Sequence, residues 1–386
     1  MSALPRIGIV IPYYQREPGI LRRTLESVVA QSYPAEQVVI LDDGSPHPAQ
    51  LELPSAKPRF LTLVSRQHQG ISAARNAALD NVAREIDSIA FLDSDEVWSP
   101  NHLELAAEAL SSGADFFFSN YRRENEAEDY FDQEGRRHLR GTGRLVYWTQ
   151  GVPALMRATC PFMTSTVVYR RSIWPELQFS CKYRRAGEDH LAFWQLVLRA
   201  KQIMYSSEVT VFAPEAGIGA WRNATYGTAE QLERITDEIR LKRYSLRHFP
   251  LQTEDRAQIR KGIALRREVA LSAAVHLVRR RYNVFGEIAR LMLIDPGCVF
   301  AWGRAFPALY RQWRSAGANG SSNTPQTEGK PKDPSKRRPG SVCAAPDAAQ
   351  QPTLAFFWMI QPVFRTFRGG KPRSKTAPRR TALSEA

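Results

Sequence analysis

The sequence "FLDSDEVW" at residues 91–98 gives the strongest indication of how this chain folds. It continues the apolar residues "SIA" at 88–90, carries the carboxylates Asp93 and Asp95, and is followed by Ser99-Pro100, where the chain turns away. A short apolar run of this kind is typical of a buried strand. In an open α/β sheet, ligands bind beyond the carboxyl ends of strands. The stretch therefore predicts a strand that ends at a functional site.

Further apolar runs alternate with helical patterns along the first half of the chain. The strand candidates are "IGIVI" (7–11), "QVVILDD" (37–43), "FLTLV" (60–64), "SIAFLD" (88–93), "DFFFS" (115–119) and "STVVY" (165–169). Between the early runs, residues 18–32 and 70–85 place apolar residues on one helical face. This alternation predicts an α/β fold with a mostly parallel sheet that is covered by helices.

The composition changes twice beyond this region. After about residue 225 the strand signals stop, and helical patterns run through 228–249 and 254–282. From about residue 315 the chain is rich in Ser, Pro, Gly, Lys and Arg, a composition that buries too little apolar surface to fold. We therefore predict three regions: an α/β domain over 1–225, a helical region over 226–314 and a disordered basic tail over 315–386.

The net charge of the 386-residue chain is +14, which indicates an anionic partner. Nucleic acid, an anionic membrane surface and a phosphorylated substrate all fit, and charge alone does not choose among them. The tail has 12 Lys and Arg against 4 Asp and Glu, so it carries much of the excess. The four cysteines show no metal-ligand spacing, and no apolar run has the length of a signal peptide core or a membrane span. We therefore expect a cytoplasmic protein.

Two apolar runs end in paired acids, "VVILDD" at Asp42-Asp43 and "AFLDSD" at Asp93 and Asp95. Strand alternation would direct the side chains of a D-x-D pair to the same side, which gives a cluster of hard oxygen ligands. Such a cluster suits Mg²⁺ or Mn²⁺ shared with phosphate oxygens. Ordinary turns and helix caps use the same residues, so each pair alone is a weak signal.

The order of the motifs carries a more specific resemblance. "IGIVIPYYQREPGILRRTLESVVAQSYP", "VVILDDGSP", "GISAARNAAL", "FLDSDEVWSPNHLE" and "GEDHLAFW" follow one another within residues 5–215. This series resembles the family-2 glycosyltransferases, which have the GT-A fold, a nucleotide-diphospho-sugar transferase fold with a Rossmann-like mixed sheet. The opening "PYYQR" is also similar to glucosyltransferases of bacterial succinoglycan-type exopolysaccharide assembly.

The resemblance implies a role for each residue that matches a nucleotide-binding motif. Pro12 and Tyr13 would line the nucleotide pocket, with an aromatic ring near the uracil. Asp43 would hydrogen-bond the base. Arg75 would lie near the nucleotide and its diphosphate, although an arginine on a helix is more often a surface residue.

The remaining motifs imply the metal site and the catalytic residues. Asp93 would hold the ribose or sugar side and Asp95 the divalent metal, Mn²⁺ or Mg²⁺, so both belong to the predicted metal site. Glu188 and Asp189 match the family's "ED" motif, in which Asp189 would be the general base. The same acids also suit the start of a helix. Glu96 departs from the pattern, because another Asp is common after Asp95.

For function, the resemblance implies an inverting hexosyltransferase. The donor would be a UDP-sugar, with UDP-glucose favoured, and the acceptor a lipid-linked oligosaccharide in exopolysaccharide biosynthesis. The basic helices and tail would suit a peripheral position on the cytoplasmic face of the inner membrane. We expect no nucleic-acid partner. The open alternatives are a nucleotidyltransferase, and a basic nucleic-acid- or membrane-binding protein with an inactive nucleotide-sugar fold.

Overall fold

The computed structural model describes residues 4–54, 58–124, 126–133, 139–149, 161–214, 227–280 and 282–304. The strands are β1 (Ile7–Tyr13), β2 (Gln37–Asp42), β3 (Leu61–Ser65), β4 (Ser88–Phe91), β5 (Val97–Trp98), β6 (Phe116–Arg123), β7 (Val146–Tyr147), β8 (Val167–Arg170) and β9 (Ile203–Ala213). The helices are α1 (Ile20–Val29), α2 (Ile71–Asp80), α3 (His102–Ser111), α4 (Glu188–Arg199), α5 (Ala229–His248), α6 (Thr253–Arg279) and α7 (Phe285–Ile294).

Within these residues the strands form one mixed sheet in the order β3-β2-β1-β4-β8-β6-β9-β5, and β7 pairs with β9. Strands β3, β2, β1 and β4 are parallel, whereas β8 is antiparallel to both of its neighbours, β4 and β6. Strand β6 returns to a parallel pairing with β9. The carboxyl ends of β1, β2 and β4 therefore face the same edge of the sheet, where the candidate site lies.

Helices cover both faces of the sheet, which is why the central strands are apolar throughout. All of β1 is buried, and Gly8 in it allows a close approach, since a Cβ there would lie 2.9 Å from Cγ2 of Ile86. The residues of β4 alternate between the two cores: Ile89 and Phe91 pack with α2 and α4, and Ala90 packs with α1 and α3. The strand after which the site begins is thus fixed from both faces.

The helical region has its own core and also contacts the sheet domain. Leu232 and Ile239 of α5 pack with Ile263 and Leu277 of α6 and with Leu291 of α7. Other residues of α5 belong to the core on the α4 side of the sheet, Leu241 among them. Helix α5 therefore connects the helical layer to the helix that begins with the "ED" motif. Among the described helices, none is both long enough and apolar enough to cross a bilayer.

The structure confirms the predicted α/β fold with its mixed sheet and the helices after residue 226. Strand β8 begins at Val167, two residues later than predicted, because Thr164–Thr166 form a 3-10 turn. The sequence analysis missed β9, in which Ser206, Ser207 and Glu208 interrupt the apolar pattern. The predicted tail lies outside the described residues, and the boundaries near 225 and 314 stay predictions.

Candidate active site

The guanidinium of Arg75 brings three of the predicted motifs together. Arg75 lies on α2, and its Nη1 donates to Oε1 of Glu188 at 3.0 Å while its Nη2 donates to Oδ1 of Asp93 at 2.9 Å. The residue is only 3% exposed, and the guanidinium lies 5.3 Å from the ring centroid of Phe179. Arg75 is therefore not a surface arginine. It is the cation that joins the turn after β4 to the start of α4.

The electrostatics of Arg75 keep it charged despite its burial. Burial alone would lower the pKa of Arg75, but the negative charges of Asp93, Glu188 and Asp189 raise that pKa above its ordinary value. A buried arginine requires such partners, because an unpaired charge in a core is strongly unfavourable. The same residues that depend on Arg75 for neutralisation therefore hold it in place.

Asp93 and Asp95 lie in a turn rather than in a strand. Strand β4 ends at Phe91, and the N–H of Glu96 closes the turn by donating to the carbonyl of Asp93 at 3.1 Å. Strand alternation therefore does not set the direction of these two side chains. The two carboxylates nevertheless influence each other, because burial and then the charge of Asp93 raise the pKa of Asp95 to about 6.

Glu96 adds a third acid to this turn. Its side chain is buried, and its Oε2 has no hydrogen-bond partner among the described residues. Burial, followed by the charges of Asp93 and Asp95, holds the pKa of Glu96 well above its ordinary value. The turn after β4 thus concentrates acidic side chains, with Arg75 as the buried cation beside it.

Glu188 and Asp189 form the first turn of α4. Gly187 precedes them with φ +97°, a conformation that favours glycine. The N–H of His190 donates to Oδ1 of Asp189 at 2.7 Å, and the hydroxyl of Thr164 lies 3.5 Å from Oδ2. The helix therefore begins with its acids directed into the site region, so the catalytic and the helix-start interpretations of this motif are compatible.

The pKa values of Glu188 and Asp189 are shifted in opposite directions. Burial and the charge of Asp189 raise the pKa of Glu188, against the opposing effect of Arg75. For Asp189, burial alone would raise the pKa, but the charges of His190 and Arg75 and the local N–H groups outweigh it and lower the pKa. Asp189 is also the more exposed of the two. An ionised and accessible carboxylate is what a general base requires.

Asp42 and Asp43 hold loops in this structure. Asp42 accepts the N–H groups of Ser45 and Ala49, each at 2.8 Å, which is the turn interpretation of "DDGS". Asp43 accepts from Nε of Arg66 at 2.8 Å and from the N–H of Gly70 at 2.7 Å, and its carboxylate is nearly inaccessible. Asp43 thereby anchors the loop that leads into α2. Its predicted contact with a base stays a prediction.

Tyr13, the last residue of β1, and Tyr14, which follows it, differ in their exposure to solvent. Pro12 and Tyr13 are buried; Tyr13 is 1% exposed, and its hydroxyl donates to the carbonyl of His47 at 2.8 Å. The ring of Tyr13 therefore has no face open to a ligand here, because the pleat of β1 directs it into the core. Tyr14 is 41% exposed, with its ring centroid 4.3 Å from that of His68. The exposed ring at this edge is that of Tyr14.

The stretch "TSTVVYRR" (164–171), which resembles the strand beside the acceptor site in the family, contributes two hydroxyl residues to the site. Ser165 is fully buried and accepts the N–H of Asp93 on its Oγ at 2.9 Å, while Thr164 contacts Asp189. Both belong to the 3-10 turn before β8, which therefore touches the turn after β4 and the start of α4. Threonine is equally common in ordinary strands, so the sequence alone did not predict these contacts.

The acids after β4 suit a divalent cation. Asp93 and Asp95 offer hard oxygen ligands of the kind that a divalent cation prefers. The described residues contain no group of three or more side chains that could hold a metal by themselves. Mg²⁺ typically uses one or two carboxylates and takes its other ligands from water and substrate phosphates. The residues present therefore fit a metal bound together with a substrate.

Comparison with known proteins places this geometry in a family. Residues 8–176 match Glycosyl transferase family 2. The chain is 28% identical over 308 residues to the succinoglycan biosynthesis protein ExoW of Rhizobium meliloti (strain 1021), covering 76% of this chain and 95% of that protein. It is 31% identical over 117 residues to the UDP-Glc:alpha-D-GlcNAc-diphosphoundecaprenol beta-1,3-glucosyltransferase WfgD of Escherichia coli, covering 30% of this chain and 45% of that protein.

Among solved structures, S. aureus TarS in complex with UDP-GlcNAc is similar with a TM-score of 0.48 and 16% identity, covering 77% of this chain and 81% of that one. The match over residues 8–176 indicates the class of enzyme to which the sheet and the acidic site belong. Residues 8–176 carry the domain of Glycosyl transferase family 2, and the chain is a glycosyltransferase.

Replacement of Arg75 by Met tests the central ion pairs. We expect the variant to lose about 3–5 kcal/mol of unfolding free energy, because two acids in a buried setting lose their shared cation. Urea unfolding followed by circular dichroism measures this loss. The matched control is Arg23→Met, which removes an exposed ion pair with Glu124 and should cost less than about 1 kcal/mol. Equal losses in the two variants would contradict the central role of Arg75.

Proposed function

We propose that this enzyme is an inverting glycosyltransferase that moves a sugar from a UDP-sugar to a hydroxyl of a lipid-linked oligosaccharide in bacterial exopolysaccharide biosynthesis. Glucose is the sugar we favour. The observation that carries the proposal is the cluster around Arg75, in which Asp93 and Glu188 meet next to an ionised Asp189. The names of ExoW and WfgD support the pathway, the donor and the lipid-linked acceptor.

In the proposed reaction, the acceptor hydroxyl attacks the anomeric carbon of the donor and the nucleoside diphosphate leaves. Asp189 takes the proton from the hydroxyl; its lowered pKa keeps the carboxylate ionised and so able to accept a proton. With one base and no nucleophile from the protein, the displacement is single, so an α-linked donor gives a β-glycoside. Arg75 and Glu188 hold the start of α4 against the turn after β4, which supports the alignment of both substrates.

The divalent metal of this proposal would be held by Asp95 with Asp93. Such a cation stabilises the negative charge that develops on the leaving diphosphate. The acids around it supply the negative potential that attracts the cation, and the half-buried Asp95 has Asp93 as its charged neighbour. Either Mn²⁺ or Mg²⁺ fits oxygen ligands of this type.

Replacement of Asp189 by Asn tests the base assignment. We expect transfer to fall by about 100-fold or more, because the amide cannot accept the proton. Binding of UDP-sugar should stay close to that of the wild type, since the donor-side residues are unchanged. Transfer is measured by product formation and binding by calorimetry. The control is Asp80→Asn, an exposed acid at the end of α2, which should keep full activity. Near-normal transfer by Asp189→Asn would show that Asp189 is not the general base.

A panel of donors tests the metal and the sugar together. UDP-glucose, UDP-galactose, UDP-N-acetylglucosamine and GDP-mannose are compared with Mn²⁺, Mg²⁺ or EDTA, in the wild type and in Asp95→Ala. We expect metal-dependent transfer from UDP-glucose that EDTA and Asp95→Ala abolish, whereas Asp80→Ala retains it. Activity that is equal with EDTA would rule out the metal, and preference for another donor would replace glucose.

We further propose a peripheral contact with an anionic membrane, through exposed apolar residues of the helical region. Phe285 is 72% exposed and Leu293 is 85% exposed. Ala289, which is also exposed, lies midway between them, so the three residues follow one another at intervals of four along one face of α7. Val299 and Phe300 follow soon after and are also exposed. A lipid-linked acceptor would be presented at such a membrane, and the net charge of +14 favours anionic headgroups.

Vesicle flotation tests this contact. The double variant Phe285→Ser/Leu293→Ser should bind phosphatidylglycerol-containing vesicles several-fold more weakly than the wild type, because less apolar surface enters the interface. The control is Val29→Ser, an apolar residue of α1 that is 71% exposed. A second variant that lacks 315–386 measures the share of the tail. Unchanged flotation of the double variant would contradict a role for α7.

A further inference from the structure

Asp237 is a fully buried acid in the middle of α5, and its carboxylate accepts hydrogen bonds from groups outside that helix. Its Oδ2 accepts the backbone N–H of Arg184 at 2.7 Å and that of Arg185 at 2.8 Å. Its Oδ1 accepts from Nη2 of Arg290, on α7, at 2.6 Å. One carboxylate oxygen therefore binds an arginine, and the other binds the backbone of a loop in the sheet domain.

That loop leads directly into the "ED" motif. Arg185 is separated from Glu188 by two residues, of which Gly187 has φ +97° and touches α5 a second time. A Cβ at Gly187 would lie 3.2 Å from Cδ2 of Leu241, one helical turn after Asp237. The backbone before α4 is thus held on α5 at two points, through hydrogen bonds at Asp237 and through packing at Leu241.

Side chains of the same loop add weaker contacts to the helical region. Arg184 pairs with Glu287 of α7 at 2.9 Å, and Arg185 pairs with Glu233 of α5 at 2.8 Å. Arg184 is largely exposed, so its ion pair contributes little to stability. The hydrogen bonds to Asp237 differ, because they are buried and charge-assisted, and hydrogen bonds with a charged partner are the stronger kind.

A second buried acid shows that the helical region does not need the loop to neutralise such a charge. Asp295 is also fully buried, and it pairs with Arg243 of α5 and Arg267 of α6, each at 2.7 Å. It thus connects helices only to one another. Asp237 has an arginine of the helical region as well, yet it accepts two N–H groups from residues 184–185. The two backbone hydrogen bonds of Asp237 therefore indicate that this acid positions the loop before α4.

We propose that Asp237 is a positioning residue for Asp189. By fixing the backbone of residues 184–185, it sets where α4 begins and so where the carboxylate of Asp189 lies relative to the acceptor. The inference rests on the proposed role of Asp189 as the base. Asp93 and Asp95 are carried by the turn after β4, so loss of Asp237 affects transfer more than donor binding. A displacement of about 1 Å in such a group lowers a rate by about 100-fold.

The test compares Asp237→Ala with Asp295→Ala in the full chain, at a temperature where circular dichroism shows both folded. Both changes remove a buried acid from arginine partners, but only the first releases the loop. For Asp237→Ala we expect kcat to fall by about 10- to 100-fold, with the Kd for UDP-glucose changed by less than about 3-fold. For Asp295→Ala we expect kcat to stay within about 3-fold of the wild type.

Asp237→Asn covers the case in which the alanine variant does not fold. Its uncharged amide oxygen accepts the two N–H groups more weakly than the carboxylate does, so we expect kcat to fall by about 3- to 10-fold while the Kd for UDP-glucose changes by less than about 3-fold. If Asp237→Asn and Asp295→Asn lower kcat equally at matched stability, or if Asp237→Asn weakens kcat and donor binding in parallel, the inference is overturned. Asp189→Asn in the same assay separates the outcomes, because its retention of transfer would overturn the base assignment itself.

Discussion

One buried guanidinium shared by two carboxylates is the constraint on which the site depends. Arg75 comes from α2, Asp93 from the turn after β4 and Glu188 from the start of α4, so three distant parts of the chain meet at one charge. None of the three could be buried alone at an acceptable free energy. Their mutual neutralisation lets acidic residues concentrate at one edge of the sheet, and it leaves Asp189 and Asp95 with unbalanced negative charge.

A second recurring device is the use of buried acids to bind backbone N–H groups of loops. Asp42 and Asp43 do so at the end of β2, Glu52 accepts the N–H of Gly19 before α1, and Asp237 accepts two N–H groups before α4. Each acid fixes a loop that surrounds the same edge of the sheet. Loops carry the chemistry in folds of this type, and hydrogen bonds of this kind give them the rigidity that a site requires.

The sequence was informative where a pattern is local and continuous. The apolar runs of β1, β2 and β4 predicted strands because both faces of the sheet are covered, and the motif order predicted which acids would lie near each other. Strand β9 was missed because its polar centre coincides with shifts in its register against β6. The direction of Tyr13 depends on the pleat of β1 and the partners of Asp43 on a distant loop. Neither can be read from neighbouring residues, and the same holds for Asp237.

The reversed strand β8 has a consequence for how the protein is made. Among the described strands, β8 alone joins the β3-β2-β1-β4 half of the sheet to the half that contains β6, β9 and β5. It is synthesised after β4 and β6, and it spans only four residues, Val167–Arg170. Until it emerges from the ribosome, the edge of β4 is an unpaired parallel strand, open to association with other chains. The nascent chain therefore carries an open sheet edge until residues 167–170 are available to cover it.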